Sequence, residues 1–324
     1  MKNVEPKAKS RNIAGGSFKT YLQSLGLSKS TIHHYNSYII DFISWLDADN
    51  TEIENSTAKE ITAYLSHLKN KGQSNFTRSI RLKVISHFMN YQIQHNHRTD
   101  NPAKNLKLRG TKQKKLYPIL SKQELEQLYN TYKVPDENDE KSNRNWFTAY
   151  RLSKQRNKAI LSLLVNQGLT TAEITRLKVN DLKLKEGTIY MTGSRKSNER
   201  ILELKPNQIM ELMEYALQTR QMFIPYQEDE NTKRLFLSVP SAGKKEANDT
   251  LQIFKGLTNE IKNTNPKIIN FKQVRTSVIT HWLKQYNLRQ VQYMAGHRYV
   301  SSTEAYLVNQ MEDLQADIDK FHPF

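Results

Sequence analysis

The sequence predicts a mainly α chain with a small β-hairpin or sheet, divided into a helical N-terminal domain and a larger α+β domain. Three observations carry this. The chain has 324 residues, room for two domains at roughly 150 residues each. Apolar residues recur at helical spacing behind good capping residues through most of it. Only one stretch, Thr188 to Leu204, alternates as paired strands do.

Residues 1–16 read as a basic arm ending in Gly15-Gly16. After Ser28, a good N-cap, Ile32, Tyr35, Ile39, Phe42, Ile43 and Leu46 form one face of a helix. Thr57-Ala-Lys-Glu60 is a capping box ahead of Ile61, Tyr64, Leu65 and Leu68. A further helix runs from about Phe76 to Gln94, with Ile80, Val84 and Phe88 on its stripe and Arg78, Arg81 and Lys83 off it. The expectation is a four-helix bundle over residues 17–100, with Tyr35, Tyr64, Tyr91 and Trp45 in its core. Residues 98–118 break the periodicity. Asn101-Pro102 opens the stretch, Pro118 closes it, and Lys104, Lys107, Arg109, Lys112, Lys114 and Lys115 load it with charge. It reads as a basic linker, drawn at 101–118, lying against phosphates.

The second block, 119–324, opens with the capping box Ser121-Lys-Gln-Glu124 before Leu125, Leu128 and Tyr129. Residues 134–145 are polar and read as a surface loop. Arg156 to Gly168 reads as a buried helix stopped by glycine. Thr188–Thr192 and Arg200–Leu204, joined by a turn from Gly193 to Asn198, read as a β-hairpin. Everything after Pro206 reads as helical, with Pro and Gly between segments and Trp282 as core packing.

Lys plus Arg number 49 and Asp plus Glu 32, a net charge of +17 with a pI near 9.7. Residues 1–115 hold nineteen basic and eight acidic side chains, so +11 of the charge lies there and +6 in the remainder. A polyanion is the expected partner, nucleic acid before a membrane surface. With no cysteine, disulfide frameworks, Cys-based zinc sites, iron–sulfur clusters and thiol nucleophiles are excluded. No run approaches 18 apolar residues, so no transmembrane helix is expected. The N-terminus lacks the apolar stretch of a secretory signal, and a cytoplasmic location is expected. His33-His34 and His95-Asn-His97 lack ligand spacing with a third partner and read as surface histidines, so neither metal nor cofactor is expected.

The chemistry lies in the C-terminal quarter. Arg275 sits in Phe271-Lys-Gln-Val-Arg-Thr-Ser277, followed by Gly296-His297 and then Tyr306. An Arg, a His and a Tyr suffice for metal-free phosphodiester transfer. The arginine fork neutralises non-bridging oxygens, the imidazole donates a hydrogen bond and the phenol is the nucleophile. Surrounding positive charge must favour the phenolate, because a phenol at pKa ~10 is a poor nucleophile.

Lys272-Gln-Val-Arg275, Met294-Ala-Gly-His297 and Ser302-Thr-Glu-Ala-Tyr306 resemble, in order and spacing, the signature of the tyrosine recombinase (phage integrase) family, including its Xer-like and mobile-element members. The family's wording is His-x-Leu-Arg, Leu-Gly-His and Thr-x-x-Tyr. Ser17–Leu46 resembles the opening of the family's helical, SAM-like core-binding domain. Arg156-Asn-Lys-Ala-Ile160 through Asp181 resembles the start of its catalytic domain.

The resemblance implies a site-specific recombinase or integrase with Tyr306 attacking the scissile phosphate to leave a 3′-phosphotyrosine and a free 5′-hydroxyl. Arg275 matches the second catalytic Arg and His297 the motif His. Lys272 stands where His is usual and still donates to phosphate. The hairpin turn, Gly193-Ser-Arg-Lys-Ser-Asn-Glu-Arg200, should present the lysine that protonates the leaving oxygen. Lys196 is the candidate, with Arg195 behind it. The implied partner is double-stranded DNA, clamped by the two domains. A homo-tetramer in the synaptic complex and accessory DNA-bending proteins are implied with it. The segment after Tyr306, with Leu307, Met311, Leu314, Ile318 and Phe321 at helical spacing, would dock on a neighbouring protomer.

One departure stands out. The family's first catalytic Arg belongs in Gly-Leu-Arg, and this chain has Gly168-Leu169-Thr170. A threonine supplies no cation, and Thr170 with Glu173 reads as a capping box. Arg176 and Arg151 are the candidate replacements. The departure keeps two alternatives open: a catalytically impaired DNA-binding regulator or accessory protein on the same fold, and an activity like that of a type IB topoisomerase.

Overall fold

The structure, a computed structural model, describes residues 17–110, 117–195, 197–239 and 250–307. Contacts separate the chain into two compact units, Met1–Lys115 and Leu116–Phe324.

Unit one is built on α1 (Ser17–Ser24), α2 (Lys29–Ala48), α3 (Ala58–Asn70) and α4 (Asn75–Gln94). Ser28 and Ser74 accept hydrogen bonds from Thr31 and Thr77 backbone N–H groups, and Thr57 pairs reciprocally with Glu60. Each cap satisfies donors that the first turn leaves open. Phe18, Leu22, Ile39, Phe42, Ile61 and Phe88 are fully buried, with Phe18 and Phe88 edge to face at 4.9 Å. Tyr64 and Tyr91 are buried with them, while Tyr35 and Trp45 pack partly exposed against this core.

The arginines of α4 depart from the reading that set them off the apolar stripe. Arg78 and Arg81 are both buried. Helix α4 packs against α1, α2 and α3 together, so it has little solvent face and its polar groups must find partners inside. Arg81 binds Asp41 and the Tyr64 hydroxyl, each at 2.9 Å, and lies 4.4 Å from the Tyr38 ring centroid. Arg78 donates to the Leu65 carbonyl at 3.2 Å. Beyond α4 the chain stays attached: Asn101 bonds Ser86 and Asn90, Ala103 is buried, and Leu106 and Leu108 pack on the same core.

Unit two begins with α5 (Lys122–Asn130) behind the Ser121/Glu124 capping box, then the long α6 (Phe147–Gln167). A left-handed Gly168 (φ +56°) ends α6, and Thr170 caps the short α7 (Thr171–Arg176). The hairpin forms as β2 (Thr188–Met191) and β3 (Arg200–Glu203), with Met191 opposite Arg200. A short strand absent from the sequence reading, β1 (Leu182–Lys183), makes an antiparallel sheet in the order β1-β2-β3.

Helix α8 (Pro206–Glu214) runs through a π-helical turn, Tyr215–Thr219, into α9 (Arg220–Phe223). The expectation of helix throughout the rest fails at residues 227–239. There Leu235, Phe236 and Leu237 are buried in a bent, non-helical segment, and the Leu235 N–H donates to the Leu177 carbonyl at 2.8 Å. Three consecutive apolar residues with no polar face suit a short segment covered on both sides, whatever its backbone conformation. Then follow α10 (Thr250–Thr264), α11 (Phe271–Leu283), α12 (Leu288–Ala295) and α13 (Val300–Glu304). Trp282 packs half-buried at the edge of the main core. None of the described helices is long and apolar enough to cross a membrane.

Replacing Phe88 by Ala is expected to cost about 3–5 kcal/mol, from lost transfer energy and the cavity left in a fully buried site. Urea unfolding followed by circular dichroism measures it.

Candidate active site

The site assembles around one buried carboxylate. Glu173 lies one turn into α7, and its Oε2 accepts from the Thr170 backbone N–H and hydroxyl, both at 2.9 Å. Its Oε1 takes the Arg200 guanidinium at 2.7 Å, and Arg275 approaches to 3.7 Å. Burial works against the charged form of Glu173. The charge and hydrogen bond of Arg200, the Thr170 N–H and the charge of Arg275 outweigh it and hold the carboxyl below its usual range.

Arg275 comes from α11, which Asn270 caps by accepting from the Gln273 N–H. Residues 273–280 of this helix are buried without a break, so Arg275 reaches the site through the core. Its two terminal nitrogens donate to the Gly168 carbonyl at 2.6 Å and the Ala295 carbonyl at 2.7 Å. The second also faces His297 Nε2 at 3.3 Å. The left-handed turn at Gly168 aims that carbonyl, and a Cβ there would meet Val278 Cγ1 at 3.1 Å.

Gly296 ends α12 in the left-handed region (φ +67°) and positions His297. A Cβ on Gly296 would come within 2.7 Å of Arg200 Cζ and closer still to Nη1. The side chain of Arg200 is fully buried. It donates to the Met294 carbonyl at 2.8 Å, while Nη2 has no hydrogen-bond partner among the described residues. The hairpin turn is laced to the same backbone. The Asn198 N–H donates to the Gly296 carbonyl at 3.0 Å, Ser197 bridges to His297, and Arg298 donates to the Arg195 carbonyl.

The His297 ring stacks on Tyr306 with centroids 5.6 Å apart and an 18° interplanar angle, and its Nδ1 meets the Thr303 hydroxyl at 2.9 Å. Burial, reinforced by Arg275 and Arg200 and only partly offset by Glu173, pushes His297 down to about 4. Its imidazole is therefore neutral at neutral pH. Tyr306 packs on Ile279, Val291 and Ala295.

Arg275, His297 and Tyr306 thus share one cluster. Lys272 sits exposed one turn before Arg275, its ammonium 5.8 Å from the Tyr117 ring centroid. Lys196 lies outside the described residues, as do Met311, Leu314, Ile318 and Phe321; neighbouring Arg195 is exposed in the turn. Neither cation named for the gap at Thr170 joins the cluster. Arg151 is bound to Glu137 at 2.8 Å and to the Pro135 carbonyl, and Arg176 is exposed at the end of α7.

The cation that does join, Arg200, escaped the sequence reading, as did the ionic role of Glu173 and the contact made by Thr303. One signal for Arg200 was available. On β3 the inward positions are 200 and 202 and the outward ones 201 and 203, so alternation sets a charged residue on the buried face beside Leu202. Such a residue requires a buried counter-charge.

The chain matches the Phage integrase family over residues 118–313 and the N-terminal SAM-like domain of phage integrases over residues 16–96. It is 29% identical to the tyrosine recombinase XerD of Oceanobacillus iheyensis over 305 residues, 92% of this chain and 94% of that protein. It is 25% identical to the tyrosine recombinase XerC of Psychromonas ingrahamii, over 94% and 95% of the two chains. Among solved structures it resembles the Tn1549 transposon integrase in complex with transposon right end DNA (TM-score 0.63, 15% identity, 95% of this chain and 98% of that one). It also resembles a lambda integrase tetramer bound to a Holliday junction (TM-score 0.57, 16% identity, 89% and 77%).

Two outcomes are expected from this geometry. Gly296→Ala places a side chain at positive φ against Arg200 and should destabilise the chain by about 1–3 kcal/mol from the backbone alone, measured by thermal unfolding. Because the folded value for His297 lies below its ordinary 6.5, the folded state binds fewer protons than the unfolded one between pH 6.5 and about 4. Stability should fall as pH drops through that window. Denaturant titrations of His297→Gln should show a flatter dependence above pH 4.5, below which the lowered carboxyl of Glu173 takes over.

Proposed function

The chain belongs to the phage integrase family, and on that premise we propose that it is a site-specific DNA recombinase that cuts and rejoins DNA through a 3′-phosphotyrosine intermediate. The observation that carries the reading is the meeting of Arg275, His297 and Tyr306 in one cluster, with the phenol ring stacked on the imidazole. Relatives along nearly the full chain are tyrosine recombinases.

In this reading the Tyr306 phenolate oxygen attacks phosphorus as the bond to the 5′-oxygen breaks. The broken bond's free energy is held in the phosphotyrosine link, so a new 5′-hydroxyl rejoins the strand without external fuel. Arg275 and Lys272 offset the charge that builds on the non-bridging oxygens. His297 stands beside both Arg275 and the nucleophile, and the hairpin-turn lysine, Lys196, protonates the leaving oxygen, with Arg195 behind it able only to hydrogen-bond there. Thr170 contributes capping instead of charge, and Arg200 serves from beneath by holding Glu173.

The partner is double-stranded DNA, consistent with the +11 of residues 1–115 and with the DNA in the complexes of integrases that share this fold. Residues 17–100 serve as the core-binding domain, 101–118 as the linker and 119–324 as the catalytic domain, with the chain after Tyr306 as the exchange segment. Assembly as a homo-tetramer on two sites, accessory DNA-bending proteins and a cytoplasmic location complete the proposal.

A suicide DNA substrate carrying the cognate site tests it. Wild type should form a covalent adduct, Tyr306→Phe none, and Arg275→Ala should slow adduct formation by about 100-fold or more. Absence of an adduct with wild type overturns the enzyme reading, and an adduct surviving Tyr306→Phe overturns the nucleophile. Relaxation of supercoiled DNA by a monomer without site preference would replace recombinase by topoisomerase.

A further inference from the structure

Thr303 is fully buried, although it lies on a one-turn helix at the edge of the unit. Two of its groups are engaged on opposite sides. Its hydroxyl meets His297 Nδ1 at 2.9 Å, and its carbonyl accepts the Tyr306 backbone N–H at 3.0 Å. On the far edge of the imidazole, Nε2 faces a terminal nitrogen of Arg275 at 3.3 Å.

A guanidinium only donates, so a proton on Nε2 would point at another donor. The ring must then carry its proton on Nδ1, where the threonine hydroxyl accepts it. We propose that Thr303 is a positioning residue that fixes His297 of the free protein as the Nδ1–H tautomer, making Nε2 there an acceptor that orients Arg275 and not the phosphate donor expected from the sequence. The Gly168 and Ala295 carbonyls also accept from that guanidinium, and the Tyr306 hydroxyl is hydrogen-bonded to it as well. The inference rests on the recombinase reading only for its consequence in cleavage. Because Thr303 also anchors the turn carrying Tyr306, the His297 acceptor of Arg275 is coupled to the docking of that turn.

The charged and titratable groups around the imidazole are Arg275, Arg200, Glu173 and Tyr306. None of them offers Nδ1 an acceptor in place of the threonine. A threonine there for packing alone would be replaced by valine without consequence, since the two have the same shape.

Nitrogen-15 spectra of histidine-labelled protein, with His297 assigned by His297→Gln, test the tautomer directly at pH 7. Wild type and Thr303→Ser should show Nδ1 protonated, and Thr303→Val should lose that single form. On the suicide substrate, Thr303→Val should slow adduct formation roughly 100-fold while DNA affinity stays close to wild type and the unfolding midpoint falls only by what one unpaired buried N–H costs. Thr303→Ser should recover most of the rate. A wild-type His297 protonated on Nε2 overturns the proposal, and so does a Thr303→Val protein that forms adduct at the wild-type rate. If wild type forms no adduct, the function reading fails, and the spectra of wild type and Thr303→Ser still decide the tautomer.

Discussion

The second unit of the chain is organised around the ionised carboxylate of Glu173. A charge buried this deeply is costly unless every lone pair is used. Here Thr170 takes one oxygen, Arg200 the other, and Arg275 stands close by. Those three residues come from the start of α7, the first position of β3 and the middle of α11. One carboxylate therefore ties together the helix start, the sheet and the helix that delivers the principal cation.

The same contact accounts for features that look unrelated along the chain. Gly296 lacks a side chain because Arg200 passes directly beneath it on the way to Glu173. The hairpin turn is held to the Gly296–His297 backbone, so the segment expected to present a cation is in register with the histidine. His297 stays neutral because it is buried between Arg275 and Arg200. Positive charge is thereby concentrated on the guanidiniums, which cannot lose it at physiological pH. Thr170 also becomes intelligible. With Arg200 neutralising Glu173, the N-cap position of α7 completes a capping box.

Much of this was legible from residues alone. Capping boxes at Thr57, Ser121 and Thr170 sit where their Glu partners stand three positions on, because that chemistry is local. The hairpin was readable for the same reason, its alternation being a property of neighbours. Arg78 and Arg81 were misplaced because a helix covered on several sides buries residues that a single-stripe reading leaves outside. Residues 235–237 were misread because so short an apolar run has no period by which to tell helix from other structure.

The sequence by itself determined the helical bundle, the hairpin and the ordered motifs ending at Tyr306, since each depends on spacing within a few turns of chain. Only the tertiary structure decided which cations meet. Arg200 and Arg275 are 75 positions apart, and Glu173 precedes both. Their contact requires β3 and α11 to converge on one buried point, and no local pattern encodes that convergence. The buried cation beside Glu173 was decided there, a guanidinium brought up from the sheet and neither Arg176 nor Arg151.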